Sequence, residues 1–136
     1  MNEMAQGEAL RGGVFGLPAL ADFTAAYPVR PTHLVHGLAG HPLLSLEALL
    51  QLAGRMRPDT LEHNAAVGLK LGISNAETPW NGLSVAETIE RIEECGSCVL
   101  LKYIEQDPAY AQLMRDVLAE IEPIVRERTG PMMRLE

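Results

Sequence analysis

Between Asp107 and Gly130 the chain carries the pattern that most limits what it can fold into. Tyr110, Leu113, Met114, Val117, Leu118 and Ile121 recur at offsets of 3, 4, 7, 8 and 11 residues. That spacing puts them on one stripe of an α-helix. Asp107-Pro108 supplies a capping side chain and then a proline at the first turn, where no N–H is needed. Gly130-Pro131 is a firm stop. Pro123 is expected to kink or end the helix, because its ring clashes with the carbonyl of residue 119. Ile124 and Val125 would carry the stripe past a kink. So wide an apolar stripe must be covered by another layer of this chain or by a second copy across a twofold axis.

The rest of the chain offers shorter elements. Residues 1–16 are small, polar and glycine-rich and read as a loose arm. Asp22 to Tyr27 suits a short helical turn, after which Pro28 and Pro31 impose extended chain. Thr32 to Leu38 reads as a strand. Ser45 can cap a helix with apolar positions at Leu46, Leu49, Leu50, Ala53 and Met56, ended by Pro58-Asp59. In Leu61 to Leu71, Leu61, His63, Ala65 and Val67 fall on alternate positions, which favours a strand. Asn75 to Gly82 is a loop. Ser84-Val85-Ala86-Glu87 is a capping box that opens a helix with Val85, Ile89 and Ile92 on its inner stripe and Gly96 as its left-handed end. Cys98 to Ile104 is mostly apolar and reads as an inner strand. The expected fold is α+β: a small mixed sheet with about three helices in the order β-α-β-α-β-α. Residues 1–30 would be an arm and extended lead-in, and residues 31–136 a single domain.

Charge and cysteine usage exclude several functions. The formal net charge is −7, which opposes nucleic acid and anionic membrane alike, since both select for excess Lys and Arg. Arg126, Arg128 and Arg134 read as solvated charges near a helix end. No apolar run approaches the ~20 residues of a membrane helix. Met1 to Gly16 contains Glu3 and Glu8 and has no apolar stretch of a secretory signal. Two cysteines without such a signal fit free thiols in a reducing compartment, so the cytoplasm is the expected location.

Few residues suggest chemistry. Cys95-Gly96-Ser97-Cys98 is a C-x-x-C, but it follows a helix and enters a strand. Redox proteins use the reverse order, with the helix dipole lowering the thiol pKa. A zinc site would need two more ligands, formally His33 and His36. Three apart on a strand, these two point to opposite faces. Cys95, Cys98, His33 and His36 are therefore weak metal candidates only, and no catalytic or cofactor-binding residue is assigned. His41 and His63 read as polar surface or hydrogen-bonded histidines. None of the four histidines is followed two residues on by Asp or Glu, as the facial triad of non-haem iron oxygenases usually requires. Gly68 to Gly72 reads as a turn. Glu90, Glu93 and Glu94 read as solvated helix charges. Trp80 is expected to pin its loop to the core, with exposure to a partner as the alternative.

Two segments carry a family resemblance. They are Leu83-Ser84-Val85-Ala86-Glu87-Thr88-Ile89 and Val99-Leu100-Leu101-Lys102-Tyr103-Ile104-Glu105-Gln106-Asp107-Pro108-Ala109-Tyr110, followed by the helix to Glu120. With them, Pro31 to Gly130 resembles the N-terminal portion of bacterial cupin-like, JmjC-type proteins, relatives of the 2-oxoglutarate and Fe(II) hydroxylases. The resemblance implies an oxygenase-associated domain that packs against a catalytic barrel. Fe(II) and 2-oxoglutarate would be held downstream, in that barrel, and no cofactor in this chain. The chain would be either a fragment of such a protein or a short protein that keeps only the flanking domain, and not an enzyme by itself. Two other expectations stand beside it. One is an independent protein-binding or dimerisation module acting through helix 107–128. The other is a small Cys/His metal-binding protein.

Overall fold

The structure, a computed structural model, describes residues 13–65 and 79–131. Most of the expected N-terminal arm, the second half of Leu61–Leu71, the Gly68–Gly72 segment, part of the Asn75–Gly82 loop and Arg134 lie outside those residues. The chain divides into two compact units, Met1–Pro42 with Pro108–Glu136, and Leu43–Asp107.

In the first unit, helix α1 spans Leu17–Ala26 and buries Ala19 and Ala26. It starts five residues earlier than the Asp22 turn read from sequence, because Pro18 is pre-set for a first helical turn. Phe23 and Tyr27 stack with ring centroids 5.1 Å apart. The Thr32–Leu38 strand does not form. His36 makes one isolated bridge with Phe15, and most of residues 31–37 are exposed. With one bridging residue as neighbour, a ladder has nothing to extend along.

The helix read between Asp107 and Gly130 spans Pro108–Thr129 without interruption. Pro123 lies inside it, and of the two expected outcomes the helix continues past the proline rather than ending there. An interior proline costs roughly 3 kcal/mol. Three contacts flanking Pro123 offset that cost: Val125 is buried, Glu120 binds residues 14 and 15, and the Thr129 hydroxyl meets Tyr27 Oη at 2.9 Å.

Residues 13–16 are not loose either. Val14 is 5% exposed. The N–H groups of Val14 and Phe15 donate to the two oxygens of the Glu120 carboxylate, at 2.7 and 3.1 Å. Gly13 approaches the same carboxylate with φ +80, where an added Cβ would strike Glu120 Oε1. Gly13 is therefore required by both conformation and space. Glu120→Gln keeps the shape but places an NH2 against one donor. It should cost about 1–2 kcal/mol and speed amide exchange at Val14. Unchanged exchange there would refute this latch.

The second unit contains helix α2, Leu46–Arg55, strand β1, Leu61–Ala65, helix α3, Val85–Glu90, and strand β2, Ser97–Leu101. With the long helix numbered α4, the observed order is α-α-β-α-β-α, not the strand-first alternation expected. The mixed helix-and-strand character holds. Among the described residues, however, the sheet is a two-stranded antiparallel pair rather than a mixed sheet. Exposed Cys98 and Leu100 on one face of β2 show why: that face is open to solvent, which antiparallel pairs tolerate and parallel sheets do not. Among the described residues β1 is the one strand that pairs with β2, so β2 has a free edge there and is not the inner strand expected. It also ends early, at Leu101, because Tyr103 takes a left-handed conformation (φ 57) into the helical turn Ile104–Gln106.

Candidate functional site

Local capping builds the two helices of the second unit. The Ser45 hydroxyl accepts from the Ala48 N–H at 3.1 Å and starts α2, as the sequence predicts. The Ser84 hydroxyl accepts from the Glu87 N–H at 3.1 Å, and the Glu87 carboxylate accepts from the Ser84 N–H at 2.8 Å. Both halves of the capping box are present. α3 itself closes at Glu90, so Ile92 sits in the following turn rather than in the helix. Gly96 has a left-handed φ of 56, but it does not end α3 as expected, since the C-cap is Arg91 and Gly96 closes the turn before β2.

The Ser84 backbone bond first, and its hydroxyl second, hold the Glu87 carboxyl below its ordinary value of 4.5. A lowered carboxyl pKa stabilises the fold above the ordinary value and loses that effect as pH falls through the folded one. Protection of the Ser84 amide, corrected for intrinsic pH dependence, should therefore fall below pH 4.5. Constant protection through that range would contradict the box.

A partly buried polar junction joins α3 to β2. The Asn81 side-chain amide donates to Thr88 Oγ1 and to Ser97 Oγ, each at 2.9 Å. Its carbonyl oxygen accepts from the Leu83 N–H at 3.0 Å. The Thr88 hydroxyl donates to the Ser84 carbonyl at 2.7 Å, and the Ser97 hydroxyl to the Cys95 carbonyl at 3.1 Å. Thr88 is fully buried. In the sequence, Asn81-Gly82 showed only a turn.

These elements frame a groove of about 360 Å³. Leu46 and Leu49 of α2, Ile89 of α3 and Ile92 form one side. Ser97, Cys98, Val99 and Leu101 of β2 form the other. Apart from one hydroxyl and one thiol the lining is aliphatic, so the groove is suited to binding apolar side chains and not to acid–base work. Leu46 is 43% exposed and Ile89 4%, which places Leu46 at the rim and Ile89 at the floor. Glu47, Glu90 and Glu93 follow Leu46, Ile89 and Ile92 in sequence and are exposed. Among the described residues none of the three has a cationic partner. Glu90 and Glu93 are thus solvated charges as expected, and Glu47 is a third exposed carboxylate next in sequence to a lining residue. Glu94 differs from its neighbours by pairing with Arg91 at 2.9 Å.

The residues singled out as metal candidates do not converge. Cys95 and Cys98 are free thiols, half-buried and exposed respectively. The Cys95 thiol donates weakly to the Thr88 carbonyl at 3.8 Å. Their motif enters β2 as expected, but it follows a turn rather than the helix read from sequence, since that helix ends at Glu90. His33 and His36 are exposed, and His36 Nδ1 accepts from the Leu38 N–H at 3.2 Å. His63 Nε2 meets the Leu83 carbonyl at 2.7 Å, which requires the ring to donate there. Among the described residues, no three His, Cys, Asp or Glu side chains gather as a metal-holding group. Trp80 does not reach the core. It is 72% exposed and donates its indole N–H to the Leu83 carbonyl at 3.2 Å. Among the described residues no helix is long and apolar enough to cross a membrane.

No protein-family model matches the chain, and no curated protein or solved structure is similar enough to count as a match.

Proposed function

We propose that this chain is a protein-docking module whose receptor surface is the groove between α2, α3 and β2. The aliphatic lining of that groove, partly exposed at Leu46 and set beside unpaired carboxylates, carries the reading. Apolar surface of this kind is stabilised by a partner that covers it. The segments similar to cupin-like, JmjC-type proteins name one occupant, the catalytic barrel of such an oxygenase. Fe(II) and 2-oxoglutarate would then belong to that barrel and not to this chain.

Co-expression with a JmjC-type barrel tests this. The barrel is expected to co-purify with the chain and to be lost with Ile92→Lys, a substitution at a half-buried lining position in the turn after α3, whose circular dichroism should match the parent. Retention by Ile92→Lys would rule the groove out. Succinate formation by the chain alone with Fe(II) and 2-oxoglutarate would rule out a non-catalytic role.

A second reading has its own observation. Of the apolar stripe of α4, only Tyr110 and Val125 are buried, and Leu113, Met114, Val117, Leu118 and Ile121 are half-covered. α4 would then pair with its counterpart in a second copy. Sedimentation at several concentrations decides: a dimer broken by Val117→Glu supports it, and a monomer at every concentration removes it.

A further inference from the structure

The free edge of β2 has a definite hydrogen-bonding phase. The register pairs Leu61 with Leu101, Glu62 with Leu100, His63 with Val99, Asn64 with Cys98 and Ala65 with Ser97. Just beyond it, the Lys102 N–H donates to the Thr60 carbonyl at 2.9 Å. Bonded and non-bonded pairs alternate along an antiparallel ladder. Glu62–Leu100 and Asn64–Cys98 are therefore the bonded pairs. The backbone groups of Ser97, Val99 and Leu101 must point away from β1. The opposite edge agrees with this phase, since the Ala65 N–H points outward and donates to the Pro79 carbonyl at 2.9 Å. No described residue bonds the outward N–H or C=O groups of Ser97, Val99 and Leu101. The side chains of the same three residues line the groove.

We propose that β2 receives a third strand: an extended segment of a partner protein with alternating aliphatic side chains and flanking Lys or Arg. Its backbone pairs with Val99 and its neighbours, and every second side chain enters the groove. A strand sends alternate side chains to one face, which matches a sheet edge with an apolar groove on one side only. Charge selects the occupant. Exposed Glu47, Glu90 and Glu93 attract a basic segment, whereas a second copy docking at this edge would bring the same three carboxylates against them. The inference rests on the groove being a docking surface and specifies the geometry of docking.

The probe is a fluorescein-labelled peptide, Lys-Lys-Val-Thr-Val-Thr-Val-Lys-Lys, titrated into the full chain. Binding is expected, with slowed amide exchange at Val99 and Leu101. N-methylation of the three valines and of the two threonines, in separate peptides, should weaken binding by about tenfold or more in one case and leave it within about threefold in the other, because one edge alone of an added strand pairs. Replacing the four lysines by glutamates should abolish binding. Equal binding by both methylated peptides overturns strand addition, as does binding by the glutamate peptide or self-association through β2. If Ile92→Lys removes binding while Val99 and Leu101 exchange as in the free chain, strand addition fails and the docking reading stands. If Ile92→Lys changes nothing, both fail.

Discussion

Leu52→Ala is expected to destabilise the Leu43–Asp107 unit by about 3 kcal/mol, read by urea unfolding, within the ~2–5 kcal/mol seen for buried leucines. Leu52 is 1% exposed and lies one turn from Leu49 on α2. Truncation loses the transfer free energy of the side chain and leaves a cavity, since neighbours relax only in part. α2 packs chiefly against α3. The same cavity should therefore loosen both helices that form the groove wall, and peptide affinity should fall with stability. A loss below about 1 kcal/mol would mean that this helix pair is not the core of the unit.

Asn81→Asp should cost about 1–3 kcal/mol, despite being nearly isosteric, because one buried acceptor, on Thr88, and one half-buried acceptor, on Ser97, lose their donor. The Thr88 and Ser97 hydroxyls already spend their protons on the Ser84 and Cys95 carbonyls. Towards residue 81 they can only accept. A carboxylate there has no proton to give and sets lone pairs against lone pairs, while the bond from the Leu83 N–H survives. The introduced carboxyl would have a raised folded pKa, so the deficit is largest at neutral pH and shrinks as acid restores one donor. Thermal unfolding at pH 7 and pH 5 checks both parts. A deficit that is absent, or that grows in acid, would show that the junction does not hold α3 to β2.

Features that depend on neighbours in sequence were legible. Ser45, the Ser84–Glu87 box, the Pro108 start and the Gly130-Pro131 stop are local devices, satisfied within one turn of helix. Features set by distant residues were not. The latch on Val14 and Phe15 comes from Glu120, 106 and 105 residues away, and no spacing rule connects them. The Thr32–Leu38 segment has strand-like composition but lacks a second strand to pair with, and composition cannot report that. At Pro123 the ring left two outcomes open, an end or a continuation along Ile124 and Val125, and the contacts at Glu120, Val125 and Thr129 accompany the continuation. The groove was hidden for the same reason. Leu46, Ile89 and Val99 each looked like core, and only their arrangement leaves a space between them. Cys95, Cys98, His33 and His36 drew notice through residue type, yet the described residues with a joint geometry are Asn81, Thr88 and Ser97, whose types are common in turns.

The uncovered rim of β2 also bears on how the protein behaves at high concentration. Three outward N–H and C=O pairs beside greasy side chains form a template for stacking like molecules, and mutual repulsion at a net charge of −7 is what keeps them apart at neutral pH. Near the pH of about 5.1 at which the sequence's charges balance, that colloidal protection vanishes. Cloudy, strand-rich precipitate should collect there first, and a lysine in place of Val99 should keep the solution clear.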